Sequence, residues 1–138
     1  MTEAFFATWA PRAQAVLRIV TAYLYITHGT AKLLHVPHQP NFDNLQIFSL
    51  IGLAGIIELV GSVLLLLGLF TRPAAFIMSG EMAVAYFMAH ASQGSVLVPM
   101  LNRGELAVLY CFVFLFFAAA GPGAWSLDAL RGRRSVAV

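Results

Sequence analysis

Positions 50 to 70 run for 21 residues with a single ionisable side chain, Glu58. A helix needs about 20 apolar residues to cross the hydrocarbon core of a bilayer. In lipid a helix satisfies all of its backbone groups within its own segment. A membrane-spanning helix is therefore the structure this stretch favours. Three further apolar stretches of similar length follow the same pattern, at 13–34, 73–91 and 104–121. The period-2 alternation of a membrane barrel is absent, so strands are not expected.

Composition supports this reading and excludes others. Hydrophobic residues make up 60% of the chain and charged residues 10%, against about 25% charged in soluble domains. So little polar surface cannot coat a soluble globule. A disordered chain, a disulfide-stapled mini-domain and an ordinary soluble enzyme are all excluded. One cysteine, Cys111, forms no internal disulfide. The net charge of +2 is too small and too scattered to attract nucleic acid. With 138 residues there is room for four spans and no separate soluble domain. The expectation is an all-α, integral membrane four-helix bundle comprising one domain, residues 1–138.

Local signals set the ends. Pro73 suits a helix start, where its missing N–H costs nothing. Gly121-Pro122-Gly123 stops the fourth helix. Residues 2–9, with Phe5, Phe6 and Trp9, suit an interfacial anchor. The N-terminus lacks a basic region and a cleavage site, so the first span is expected to stay in the mature protein. With four spans, Arg12, Arg72, Arg131, Arg133 and Arg134 share one side, while Lys32 and Arg103 lie on the other. That bias predicts both termini in the cytoplasm and a multi-pass protein of the cell's inner (plasma) membrane. Loops 35–49 and 92–103 then face outward. They hold His35, His38 and Asp43, which read as solvated loop residues.

The apolar stretches carry ionisable groups in or at the edge of the spans: Arg18, His28, Lys32, Glu58, Glu81, His90 and Glu105. Each costs about 2.5–3.5 kcal/mol at a helix centre on insertion scales, so such groups are expected to face the interior and pair. Arg18, Tyr25 and Lys32 repeat every seven residues along one face of the first helix, with His28 close by. Gly55, Glu58 and Ser62 share a face of the second, and small residues there let a neighbouring helix approach. Ala74, Met78, Glu81, Ala85 and Met88 form a seam on the third. His90 falls about 180° from Glu81 on an ideal helix. By depth, Lys32, His90 and Glu105 sit at the mouth of a polar funnel that opens outward. His28, Glu58 and Glu81 lie deeper.

A group of this chemistry can hold the polar head of a quinone or relay protons. It can also serve structure alone, with Lys32 and Arg18 neutralising the glutamates. Metal binding is disfavoured, because no His-x-x-x-His or His-Glu-x-x-His occurs. A haem between His28 and His90 is disfavoured too. Cys111 reads as a small inert core residue. Gly80–Tyr86 is similar to Gly104–Tyr110, a likeness that two membrane helices readily share by chance.

Several segments resemble the DoxX family. They are His28-Gly29-x-x-Lys32-Leu33, the run from Glu58 to Ala75, Met82-Ala-Val-Ala with His90, Gly104-Glu105-Leu-Ala, and the run from Gly121 to Leu130. The resemblance extends from about Arg18 to Leu130. It implies a small four-helix membrane protein near quinone redox chemistry, with His28, Lys32, Glu58, His90 and Glu105 as the pattern's polar residues; Glu81 is less clearly part of it. Arg103 departs from the pattern, which usually has a glycine there. Two functions stay open. One is the membrane subunit of a quinone-linked oxidoreductase, binding quinone in the funnel beside an electron-donating protein partner. The other is a non-catalytic scaffold or accessory subunit of a larger membrane complex. No flavin, iron–sulfur or haem-c motif is present, and one cysteine cannot run dithiol chemistry. The chain is therefore not expected to be a complete enzyme alone.

Overall fold

A computed structural model describes residues 2–135, with the side chains of 133–135 outside the described part. The first helix, α1, is Glu3–Leu33. A single turn at Pro40–Phe42 interrupts the loop that follows. Next comes α2, Leu50–Leu67, opened by Ser49, whose hydroxyl accepts the Gly52 N–H at 3.1 Å. Gly68 closes it in the left-handed region, at φ 64°. Thr71–Ala85 is α3, and the chain continues through a π turn at Tyr86–His90 and a 3-10 turn at Ala91–Gln93. Glu105–Ala120 is α4 and Leu127–Ser135 is α5. Among the described residues there is no strand.

Two elements extend beyond the apolar stretches. Residues 3–9 belong to α1, which begins at Glu3 and has Pro11 inside it. A proline removes one N–H donor, but no other breaker follows and the helix runs on. The all-α reading stands, and besides helices in the four apolar stretches the described residues form a further one, α5. After Gly121-Pro122-Gly123 the chain turns back into helix because Ser126 caps α5. Its hydroxyl accepts the Ala129 N–H at 3.2 Å, one of the donors a helix start leaves unpaired.

Among the described residues, two helical stretches are long and apolar enough to cross a membrane: Leu50–Leu67 and Thr71–Gln93. Glu105–Ala120 is apolar but shorter. α1 packs on α2, α2 on α3, and α3 on α4. Tyr25, Leu65, Met78, Phe114 and Phe117, drawn from all four, fill a common core. The exterior is the more apolar part. Ile51, Leu53, Val60, Phe76, Phe87 and Phe112 are exposed, whereas Arg18, Thr21, Glu58, Ser62 and Asn102 are buried. The α3 seam holds at Ala74 and Met78 but fails at Met88, which is 60% exposed. The π turn shifts the register there, and Tyr86 takes the buried place.

Arg18 ties one end of the assembly together. It is fully buried, and its guanidinium donates to five backbone carbonyls. Two close α2, Leu65 at 2.6 Å and Leu66 at 2.8 Å. Three belong to the segment after α4: Pro122 at 2.9 Å, Trp125 at 2.9 Å and Ala124 at 3.4 Å. The expectation that Arg18 neutralises a glutamate is therefore overturned; main-chain carbonyls at the end of α2 and in the turn after α4 take its charge. Nearby, Asp128 accepts the N–H groups of Phe70 and Thr71, each at 2.9 Å, and so caps α3 from α5. Partial burial works to raise the Asp128 pKa, but these hydrogen bonds and Arg131 outweigh it and hold the carboxyl below its ordinary value.

Candidate functional site

The site begins where α1 and α2 come closest. A side chain on Gly29 would lie 2.6 Å from the backbone nitrogen of Leu59, and one on Gly55 would lie 3.1 Å from the Lys32 side chain. Without a Cβ at these two positions, Gly29 rests on the backbone of α2 and Gly55 admits the Leu33 and Lys32 side chains of α1. Lys32, in the last turn of α1, then reaches Glu58 on α2. Its Nζ lies 2.7 Å from each carboxylate oxygen. Glu58 is buried, and Lys32 is nearly so and sits 5.4 Å from the centre of the Phe42 ring. Phe42 thus covers the pair from the loop side.

A second polar contact lies two turns earlier on α1. The Tyr25 hydroxyl donates to Glu81 of α3 at 2.5 Å. Tyr25 is buried, and its ring packs edge-on against Tyr110 and Phe114 of α4, both at 4.8 Å between centroids. His28 leans on the same tyrosine at 5.6 Å and on Tyr110 at 6.2 Å. Glu81 stands within electrostatic reach of both Glu58 and Lys32. The structure thus gathers Tyr25, His28 and Lys32 from α1, Glu58 from α2, Glu81 from α3 and the Tyr110 ring from α4. Ser62, one turn beyond Glu58 on α2, is fully buried, and its hydroxyl has no hydrogen-bond partner among the described residues.

Two residues expected at the same site lie elsewhere. Glu105 is exposed in the first turn of α4. It is two residues before buried Ala107, about 200° round the helix, and so faces away from the core. There it lines an apolar groove of about 480 Å³ with Leu97, Met100, Leu109 and Phe112. Its sequence likeness to Glu81 therefore does not carry over to surroundings. His90 belongs to another knot, built by the π turn. Its Nδ1 lies 3.3 Å from the Asn102 carbonyl, and its ring stacks on Tyr86 at 6.5 Å. Buried Asn102 organises that knot. Its amide donates to the Tyr86 hydroxyl and the Ser95 carbonyl, both at 3.0 Å, and its Oδ1 accepts the Gly104 N–H at 2.9 Å. The outward funnel of six groups is thus replaced by one cluster around Tyr25 and a separate knot around Asn102.

The sequence pattern places Tyr25 on the helix stripe but not in the site, and it does not single out Asn102. The heptad spacing with Lys32 was the signal for the first. A lone asparagine in a loop gives no such signal. His38 pairs with Asp43 at 2.8 Å on an exposed loop, away from the cluster. Cys111 is half-buried beside Ser79. Among the described residues, no three His, Cys, Asp or Glu side chains converge as metal ligands.

The DoxX family pattern matches residues 13–91, more than half of the chain. The chain belongs to the DoxX family. The matched stretch includes Tyr25, His28, Lys32, Glu58, Glu81 and His90, and excludes Glu105. An uncharacterised protein of Haemophilus influenzae is 51% identical over 122 residues, 87% of this chain and 91% of its own length. A protein of Mycobacterium tuberculosis, described as an uncharacterised membrane protein, is 27% identical over 143 residues, covering 92% of this chain and 86% of that one. No solved structure matches.

The pair at the centre of the site gives a direct expectation. Removing one partner of a buried ion pair leaves the other charge stranded, at a cost of about 3–5 kcal/mol, whereas replacing both is often neutral. Lys32→Met should therefore lower stability strongly, and Lys32→Met with Glu58→Leu should recover most of the loss. Detergent unfolding of the three purified proteins reads this; a Lys32→Met protein as stable as the parent would exclude the pair as a stabilising contact.

Proposed function

We propose that this chain is a multi-pass membrane protein of the inner (plasma) membrane, a four-span bundle with both termini cytoplasmic. Its polar cluster holds the head of a quinone for a partner enzyme. The apolar exterior and buried polar interior suit a protein whose solvent is lipid. The arginines at the Arg18 end support the orientation. A reporter fused after Gly123 should be active only in the cytoplasm and one within 35–49 only outside; the reverse pattern would invert the assignment.

One observation carries the quinone reading. Lys32 is committed to Glu58 through both carboxylate oxygens, so Glu81 meets a neutral phenol instead of a cation. A carboxyl group so placed among membrane helices is suited to exchanging a proton with a ligand. A bound quinone would supply a two-electron, two-proton acceptor with two carbonyl oxygens to be held. The donors that fit that need are the His28 ring and the remaining N–H of the Lys32 ammonium, with the Ser62 hydroxyl in reserve; the Tyr25 hydroxyl would join them by turning its one proton from Glu81. The Tyr25, Tyr110 and Phe114 rings pack on one another beside these groups and keep their surroundings apolar. Glu81 would hold the proton that passes through Tyr25, and His28 would serve the opposite edge. Electrons would come from a protein partner, since one cysteine and no cofactor motif give this chain no donor of its own.

A second reading rests on a different observation. The Lys32–Glu58 and Tyr25–Glu81 contacts are each satisfied inside the chain. A network that only fixes packing would look the same, in a scaffold or accessory subunit. Binding of a short-chain quinone analogue to the purified protein separates the two. Under the quinone reading Glu81→Gln keeps the fold and weakens binding at least tenfold, about 1.4 kcal/mol. A parent protein that binds no analogue, or a Glu81→Gln protein that binds it equally well, would overturn that reading in favour of the scaffold.

A further inference from the structure

A second feature lies away from the polar cluster, at the junction of α2 and α5. Leu66 and Leu67, the last residues of membrane-capable α2, face Trp125, Leu127 and Leu130 across a groove of about 410 Å³. Trp125 is 62% exposed and Leu130 57%. These apolar groups cannot be hidden by rolling α5 over. Asp128 holds α5 by two hydrogen bonds to the start of α3, and its own N–H donates to the Gly68 carbonyl at 2.9 Å. The groove is therefore a fixed part of the fold, open to its surroundings.

Its place and its charge name the occupant. A groove that starts at the end of a membrane-capable helix sits at headgroup level, where tryptophan is favoured. The sequence of α5 carries Arg131, Arg133 and Arg134 against one acid, Asp128. Both oxygens of that acid are taken by backbone N–H groups, so the helix offers net positive charge beside an apolar trough. Arg131 sets its guanidinium over the exposed Phe70 ring, 4.9 Å from its centre, a cation–π contact at the edge of this apolar surface. We infer that this groove binds an anionic phospholipid, with an acyl chain against Leu66, Trp125 and Leu130 and the phosphate at the C-terminal half of α5, whose sequence is basic. Each arginine beside an anionic lipid surface contributes roughly fivefold to binding. The inference is independent of the quinone reading and of which side the termini occupy.

Native mass spectrometry of the full-length protein in detergent tests it, with phosphatidylglycerol and phosphatidylcholine of the same acyl chains added separately. The parent protein should retain phosphatidylglycerol at least about tenfold better than phosphatidylcholine. Millimolar inorganic phosphate should not displace it. Arg131→Gln with Arg133→Gln and Arg134→Gln should abolish the preference and leave the thermal transition in place. Should that triple variant fail to fold, the Arg133→Gln, Arg134→Gln pair carries the same expectation in weaker form. Leu130→Asp should reduce retention of both lipids. Equal retention of the two lipids by the parent, displacement by inorganic phosphate alone, or a preference that survives loss of the arginines would each overturn the proposal.

Discussion

A guanidinium buried among helices must find acceptors for its donors, and in this chain Arg18 finds backbone carbonyls. That constraint organises one whole end of the molecule. Leu65 and Leu66 supply carbonyls that the end of α2 leaves without full helical partners, and Pro122, Ala124 and Trp125 supply those of a turn that could not otherwise be buried. The cation needs the carbonyls and the carbonyls need the cation. α1 is thereby fixed to α2 and to the segment that returns after α4. Gly68 makes room for the arrangement, since a side chain there would lie 2.9 Å from the Arg18 guanidinium. Asp128 repeats the principle with opposite sign, an anion placed on the free N–H groups at the start of α3.

With Arg18 spent on carbonyls, the acids of the interior must be balanced by other means. Lys32 balances Glu58 and Tyr25 meets Glu81. The middle and the C-terminal end of α1 therefore do different work: a basic group on main-chain carbonyls at the first, a mixed group of phenol, imidazole, ammonium and carboxylates at the second. The second draws on four helices, and its donors suit a ligand with carbonyl oxygens. The same division keeps the proposed lipid groove, at the Arg18 end, apart from the proposed quinone site.

Much of this was legible in the sequence because it follows from periodicity. The apolar stretch around Glu58 gave α2 nearly to the residue, and the heptad of Arg18, Tyr25 and Lys32 put all three on one inward face. Gly55 signalled the close approach that brings Lys32 to Glu58. Other features were hidden for identifiable reasons. The acceptors of Arg18 are main-chain oxygens, which have no sequence signature. For Glu105 the sequence indicates its depth along α4, but its direction around the helix depends on which face of α4 meets the core. The π turn at Tyr86–His90 breaks the ideal 100° step, so neither His90 nor Met88 falls where a regular helix would put it. Asn102 and the start of α5 at Leu127 depend on contacts between distant parts of the chain.

The most direct test of this account replaces Arg18 by methionine, which has similar length and no donors. Detergent unfolding and hydrogen exchange at the Ala124 and Asp128 amides would be followed on the same protein. Losing the guanidinium strands several buried carbonyls, each at about 1–3 kcal/mol. Stability should therefore fall by about 3 kcal/mol or more, and both amides, which now donate to Pro11 and Gly68 carbonyls, should lose protection before the middle of α2 does. Arg18→Lys should recover part of the loss, because an ammonium reaches fewer acceptors than the planar fork. A methionine variant with unchanged stability and unchanged protection at Ala124 and Asp128 would contradict the claim that this arginine holds α1, α2 and the returning segment together.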